Sequence, residues 1–217
     1  MLAIAGGKGG CGKTTTTLLL AATLADRGGG PLAVDADASM PDLHLLAGAP
    51  AAPGLGAVRS GQSPAGVAHR SERFPGTAVL PSGDVPAADV GDALRRLEGQ
   101  PEQVLLDCPA GSGPGAVRPL RVADRTLLVT TTSADSLRAA SKTASMARAV
   151  GASPVGAVVV TRRPGGDDRR PDADRVAARL DCPVLGAVPR AEVAPVTAEE
   201  VRAAYARVAG KLHRRNI

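Results

Sequence analysis

Two of the chain's four lysines, Lys8 and Lys13, fall in one glycine-rich run, AGGKGGCGKTTTT at residues 5–17, although 22 arginines supply positive charge elsewhere. Within this run, Gly7–Thr14 matches the spacing G-x-x-x-x-G-K-[ST]. Glycines at such positions let successive backbone N–H groups turn inward around phosphate oxygens. A helix opening at the end of the run adds the partial positive charge of its N-terminus. An ammonium is a compact charge on a slender stem, whereas a guanidinium fork is too bulky for that cradle. The chemistry implied is the binding of a nucleoside triphosphate. Gly7, Gly9, Gly10, Cys11, Gly12, Lys13, Thr14 and Thr15 would form the cradle, Lys13 would reach the β- and γ-phosphates, and the Thr14 hydroxyl would ligate Mg²⁺.

Such a site needs carboxylates. The stretch VLLDCPAGSG, residues 104–113, is an apolar strand ending in Asp107, which can hold Mg²⁺ through water or polarise its ligands. Gly111 and Gly113 give the following loop freedom to respond to a γ-phosphate. Asp35 and Asp37 form a D-x-D pair after another apolar run. Alternation along an extended segment aims both the same way. A carboxylate near the γ-phosphate can order an attacking water, although positioning and charge neutralisation carry most of such catalysis. The alternative for either residue is the capping of the next turn.

The elements that must position these groups are legible as alternating strand and helix patterns. Strands are predicted at Leu2–Ala5, Leu32–Asp35, Thr77–Leu80, Val104–Asp107, Thr126–Thr130, Val155–Thr161 and Val184–Val188. Most are continuous apolar runs, as expected of a parallel sheet covered on both faces. Helices are predicted at Thr14–Arg27, Val90–Leu97, Ser136–Val150, Asp172–Leu180 and Ala198–Leu212. The repetition predicts an α/β fold: a doubly wound, mostly parallel sheet with helices on both faces, the P-loop NTPase fold. Both the phosphate loop and Asp107 would then reach the carboxyl edge of the sheet, where such folds bind ligands. Residues 48–76, rich in Gly, Pro, Ser and Ala, yield no clear element, and 162–171 reads as an exposed loop.

The bulk composition is consistent with this picture. A chain of 217 residues suits a single domain, 1–217, with a well-buried core. With 44% apolar residues but one Phe, one Tyr and no Trp, that core must be built from Ala, Val and Leu. The net charge of +5 fits an anionic partner or a GC-rich codon bias equally. Cys11, Cys108 and Cys182 form no CxxC pair, so neither a zinc ribbon nor a disulfide framework is indicated, and a cytoplasmic location is expected. Cys11 and Cys108 fall on loops at the same edge; inert packing thiols and a redox-sensitive pair both remain open. No apolar run approaches the roughly 20 residues needed to cross a bilayer.

KGGCGKT, residues 8–14, resembles the deviant Walker A motif, KGGxGK[ST], of the MinD/ParA family of P-loop ATPases. Further similarities follow in order: LAVDADASMPDLHLLAG at 32–48 is similar to the family's switch I, LLDCPAG at 105–111 to its Walker B and switch II, and VVVTRR at 158–163 and LGAVPR at 185–190 to its adenine-contacting segments. The resemblance implies a slow ATPase with ATP and Mg²⁺ as cofactors and a homodimer in the ATP state. In such a dimer Lys8 would act in trans on the partner's nucleotide and Lys13 in cis. Asp35 would lie near the Mg²⁺ shell with Thr14 and Asp107, Asp37 would orient the attacking water, and Thr161, Arg162 and Pro189 would meet the base. The chain departs from the family pattern at Cys11, at Thr161 where many relatives have Asn, and at Asp42, which precedes Leu43 where Asn is common; its middle is also compressed.

The output of such a switch is less defined. The segment VRAAYARVAGKLHRR, residues 201–215, has apolar residues at helical spacing and several cations. It reads either as the last helix of the domain, leaving only HRRNI as a contact tail, or as a helix lying on an anionic membrane surface, which would place the protein peripherally at the membrane. Arg162, Arg163, Arg169 and Arg170 would instead suit salt-sensitive DNA binding of the partition type. The resemblance implies spatial positioning or cell-division-site regulation with an unknown activating protein. The alternatives are a ParA-like partition ATPase and a metabolic P-loop synthetase, the latter having no need of Lys8.

Overall fold

The computed structural model describes residues 1–101, 103–161, 172–189 and 198–215. Its eight strands are β1 (Leu2–Ala5), β2 (Leu32–Asp35), β3 (His69–Arg70), β4 (Ala78–Leu80), β5 (Val104–Asp107), β6 (Arg125–Thr131), β7 (Pro154–Thr161) and β8 (Val184–Pro189). They form one sheet in the order β3-β4-β2-β5-β1-β6-β7-β8, parallel throughout except for the β3–β4 pair at one edge. The helices are α1 (Lys13–Ala25), α2 (Leu43–Ala47), α3 (Leu55–Arg59), α4 (Pro64–Val67), α5 (Val90–Arg95), α6 (Pro114–Leu120), α7 (Ala134–Ala149), α8 (Ala173–Leu180) and α9 (Glu199–His213).

Why the strands read as unbroken apolar runs is evident from their alternation. Leu2 and Ile4 of β1, Ala33 of β2, and Leu127 and Val129 of β6 face a core shared with α1, α2 and α9. Ala3 and Ala5, and Leu32 and Val34, face a second core under α3, α5 and α6, and Leu128 faces a third under α7 and α8. With both faces covered, both sets of alternate residues are mostly apolar, and a buried polar exception such as Thr126 is hydrogen-bonded, here to the Ala152 carbonyl at 2.7 Å. Each large side chain so buried contributes about 1.5–3 kcal/mol.

The predicted elements reappear with small shifts. Ser133 caps α7, its hydroxyl accepting from the Ser136 N–H at 3.2 Å, so that helix begins at Ala134 rather than at Ser136. Asp172 caps α8 in the same way through the Arg175 N–H, at 3.0 Å. Thr77 precedes β4 because its N–H closes a turn onto the Phe74 carbonyl at 3.1 Å. The compressed middle, unassigned from sequence, folds as α3, α4 and the two-residue β3. The C-terminal helix α9 buries Val201, Ala204, Tyr205, Val208, Ala209 and Leu212 in the α1-side core, so its apolar face is occupied by the protein itself. No helix among the described residues is long and apolar enough to cross a membrane.

Candidate functional site

β1 is central, paired with β5 on one side and β6 on the other, and the loop it feeds emerges at the carboxyl edge of the parallel strands. That loop, residues 6–12, runs directly into α1. Its first half is wedged: a Cβ on Gly7 would lie 2.3 Å from the Ala139 carbonyl oxygen of α7. Its second half needs left-handed backbone, with φ of +70° at Gly10 and +99° at Gly12, the residue that precedes α1. Side chains on Gly9 and Gly10 would meet nothing within 4 Å. A close approach, a sharp turn and an open rim thus occupy successive positions of one short loop.

The loop borders a cleft of about 850 Å³, also lined by Asp37, Met40, Asp42, Asp107, Thr131, Ser133, Pro189, Val201 and Tyr205 among others. Lys8, Gly9, Gly10, Cys11, Gly12, Lys13, Thr14 and Thr15 all line it. Lys8 is exposed and Lys13 half-buried, and neither ammonium is ion-paired with a described residue. The cleft therefore places two cations that no described residue neutralises beside the positive end of α1, an arrangement suited to a polyanion.

Beneath the cations lies a buried acidic pair. Asp35 and Asp107 end adjacent strands and are register partners. Asp107 lines the cleft and accepts from the Thr17 hydroxyl at 3.3 Å. Burial pushes its carboxyl up to about 7, against the lowering influence of the Thr14 hydroxyl and Lys13. Asp35 is sealed from solvent, and its two oxygens accept from the N–H groups of Asp37 at 3.0 Å and Leu43 at 3.3 Å. Burial and the neighbouring Asp107 charge push Asp35 up to about 8. The Thr14 hydroxyl donates to Asp42 at 3.2 Å. No three His, Cys, Asp or Glu side chains cluster as metal ligands among the described residues, but the Thr14 hydroxyl and the Asp107 carboxylate are hard oxygen donors of the kind magnesium takes alongside phosphate and water. A cation there would also relieve the cost of burying the carboxylate charge.

The remaining predicted residues divide. Asp37 lines the cleft, and its Oδ1 also accepts from the N–H groups of Ser39 at 3.2 Å and Met40 at 3.1 Å, closing a turn. Asp35 and Asp37 therefore do not present the same face: one sits under the floor and the other on the wall. Pro189 lines the cleft, and Thr161, its register partner across β7 and β8, donates its hydroxyl to the Val188 carbonyl at 3.3 Å. Arg162 and the basic loop at 162–171 lie outside the described residues. The thiols of Cys11 and Cys108 donate to different carbonyls, those of Val129 and Leu106, each at 3.5 Å.

Sequence reasoning missed four contributors. Asp42 stood out only as a departure from a common Asn. Thr131 ends β6 and Ser133 follows it at the carboxyl edge, a position the topology alone marks as ligand-facing. Tyr205 read as one apolar residue of a helical stripe, although it also forms part of the cleft wall.

The fold and the loop define a nucleotide-binding protein of the P-loop class. The chain belongs to the CobQ/CobB/MinD/ParA nucleotide-binding domain family, whose model matches residues 2–201. It is 30% identical over 197 residues to an uncharacterized ATP-binding protein of Methanocaldococcus jannaschii, covering 87% of this chain and 73% of that protein. It is 32% identical over 157 residues to the chloroplastic septum site-determining protein MinD homolog of Arabidopsis thaliana, covering 65% of this chain and 48% of that one. The fold is similar to that of the septum site-determining protein MinD of Pyrococcus horikoshii, solved with Mg-ADP, at a TM-score of 0.83 and 22% identity, over 99% of this chain and 96% of that one.

Proposed function

We propose that this chain is an ATP-binding, slowly hydrolysing molecular switch of one domain that dimerises around two nucleotides and serves spatial positioning or division-site regulation. The observation that carries the reading is the pair of lysines on one cleft. Lys13 is half-buried beside Asp107, and Lys8 is exposed at the rim of the same loop. A rim lysine with no ion-pair partner among the described residues is free to reach a phosphate held by a facing subunit. The ATP-binding relative and the Mg-ADP complex of the MinD neighbour support ATP and Mg²⁺ as the ligands.

In this reading Thr14 and Asp107 hold the magnesium, with Asp35 behind them and Asp42 bonded to Thr14. Bound magnesium supplies neutralisation of phosphate charge. Lys13 and the N-terminus of α1 hold the β- and γ-phosphates, and the loop around Gly9–Gly12 follows their outline. Asp37 holds the attacking water through the carboxylate oxygen not committed to the turn. The apolar wall of Val160, Val188 and Pro189 receives the base, with Thr161 fixing the β7–β8 edge.

The membrane-helix version of the output loses its helix, because the apolar face of α9 is already buried. Membrane or DNA attachment would then fall to other basic residues. The test is multi-angle light scattering with and without Mg-ATP on the wild type, Lys13→Ala and Lys8→Ala. The wild type is expected to dimerise with ATP. Lys13→Ala should lose nucleotide binding, and Lys8→Ala should bind ATP yet stay monomeric. A wild type that remains monomeric at saturating ATP overturns the sandwich.

A further inference from the structure

We propose that Tyr205 is a positioning residue for the phosphate-binding helix, and that through it the C-terminal helix α9 responds to occupancy of the cleft. This rests on the nucleotide reading above and adds a residue and a coupling to it.

Tyr205 is the chain's one tyrosine. Its hydroxyl lies 2.7 Å from that of Thr16, and both residues are buried. The choice of partner is informative. Thr23 of α1 bonds back to its own helix, to the Leu19 carbonyl at 2.7 Å, and Thr17 divides its hydroxyl between the Lys13 carbonyl at 3.1 Å and Asp107 at 3.3 Å. A buried threonine can satisfy itself in this way without outside help. Thr16 instead pairs with a side chain 189 positions away, while its N–H donates to the Gly12 carbonyl at 2.8 Å, closing the first turn. The next residue, Thr17, bonds Asp107 on the sheet. The first turn of α1 is thus pinned from two directions, by β5 through Thr17 and by α9 through Thr16.

The same ring reaches the ligand space. Tyr205 and Val201, one helical turn apart, form part of the wall of the cleft that Gly12–Thr15 also line. At the far end of α1, the Arg27 guanidinium donates to the Ala206 carbonyl at 2.7 Å, and Arg202 approaches Asp26 at 3.5 Å. α9 therefore grips α1 near both ends. A ligand that fixes the first turn of α1 must restrain α9, and by linkage whatever restrains α9 must tighten the ligand.

The test uses the full chain and Mg-ADP as the probe, with calorimetry and amide hydrogen exchange. Tyr205→Phe and Thr16→Val each delete one hydroxyl and keep the volume. Each is expected to bind Mg-ADP about fivefold more weakly, and the double variant no more weakly than either single one, because both remove the same bond. Thr16→Ser keeps the hydroxyl and should bind like the wild type. In the wild type, Mg-ADP should raise exchange protection across α9, and in Tyr205→Phe and Thr16→Val that gain should disappear. A role confined to core packing would lower stability and leave this gain intact. Tyrosine emission, which comes from this one ring, should also change with Mg-ADP in the wild type and not in Thr16→Val. If Tyr205→Phe does not fold, the Thr16→Val and Thr16→Ser pair carries the same comparison. Wild-type affinity and α9 protection retained in the variants would overturn the coupling alone. Failure of the wild type to bind Mg-ADP would overturn the nucleotide reading and the coupling with it.

Discussion

Asp35 and Asp107 stand opposite one another in register at the ends of β2 and β5, and both are buried. Two acidic groups in so dry a place favour protonation. Asp35 is pushed up to about 8 by burial and by Asp107, and Asp107 to about 7 by burial. The ordinary value for both is 3.8. The folded state therefore keeps protons that the unfolded chain releases. This contribution to stability is complete below about pH 4 and is lost as pH rises through about 7–8. Without nucleotide, the melting temperature should fall by several degrees between pH 5 and pH 8.5, and Asp107→Asn should flatten the decline. A wild-type profile that rises over this interval would contradict the assignment.

Alanine at Gly7 and at Gly9 of the phosphate loop should have very different consequences. Gly7→Ala drives a Cβ to 2.3 Å from the Ala139 carbonyl oxygen, so the loop or α7 must move, at a cost of about 2 kcal/mol or more. Gly9→Ala points into open space and should change stability by less than about 0.5 kcal/mol. Urea midpoints of the two nucleotide-free variants decide the matter; equal losses would mean that the wedge against α7 is absent.

Asp37→Ala separates the two jobs of that side chain. The turn held by the Ser39 and Met40 N–H groups should loosen, lowering stability by about 1 kcal/mol. ATP turnover should fall at least tenfold while ATP still binds, so that an ATP-bound dimer accumulates. Turnover at the wild-type rate would remove Asp37 from the water-holding role.

All three thiols should react slowly in the native protein. Burial pushes the Cys11 and Cys108 thiols up, and that of Cys182 up to about 11, leaving little thiolate at pH 8. Titration with a chromogenic disulfide reagent at pH 8 should label the denatured chain rapidly and the folded one at least tenfold more slowly. Fast loss of Cys11 and Cys108 together, with formation of a disulfide, would restore the redox-pair alternative.

What the sequence disclosed, and what it hid, follow from length and chemistry. β1, β2 and β5 are legible to the residue because each is an unbroken apolar run that ends at a glycine or an aspartate. β3 is two residues, His69 and Arg70, on an antiparallel edge with no buried face to pattern it. The helices α2 to α4 hold four or five residues each, too few for a helical period to register. α6 opens on Pro114-Gly115 and carries Pro119, so its composition mimics a loop. At the site, the glycine and lysine spacing announced the cradle, because backbone geometry there leaves few residue choices. The Thr14–Asp42 and Thr16–Tyr205 bonds join segments 28 and 189 positions apart, and no local pattern announces such a pairing.

The phosphate loop is wedged at Gly7 against α7, whereas a Cβ on Gly9 or Gly10 would meet nothing within 4 Å. The loop is held at both ends, by that wedge and by the helix that begins at Lys13, with Lys8 on the exposed span between them. The exposed ammonium of Lys8 has more rotamer freedom to lose than that of half-buried Lys13, so fixing it against a phosphate costs the larger share of side-chain entropy.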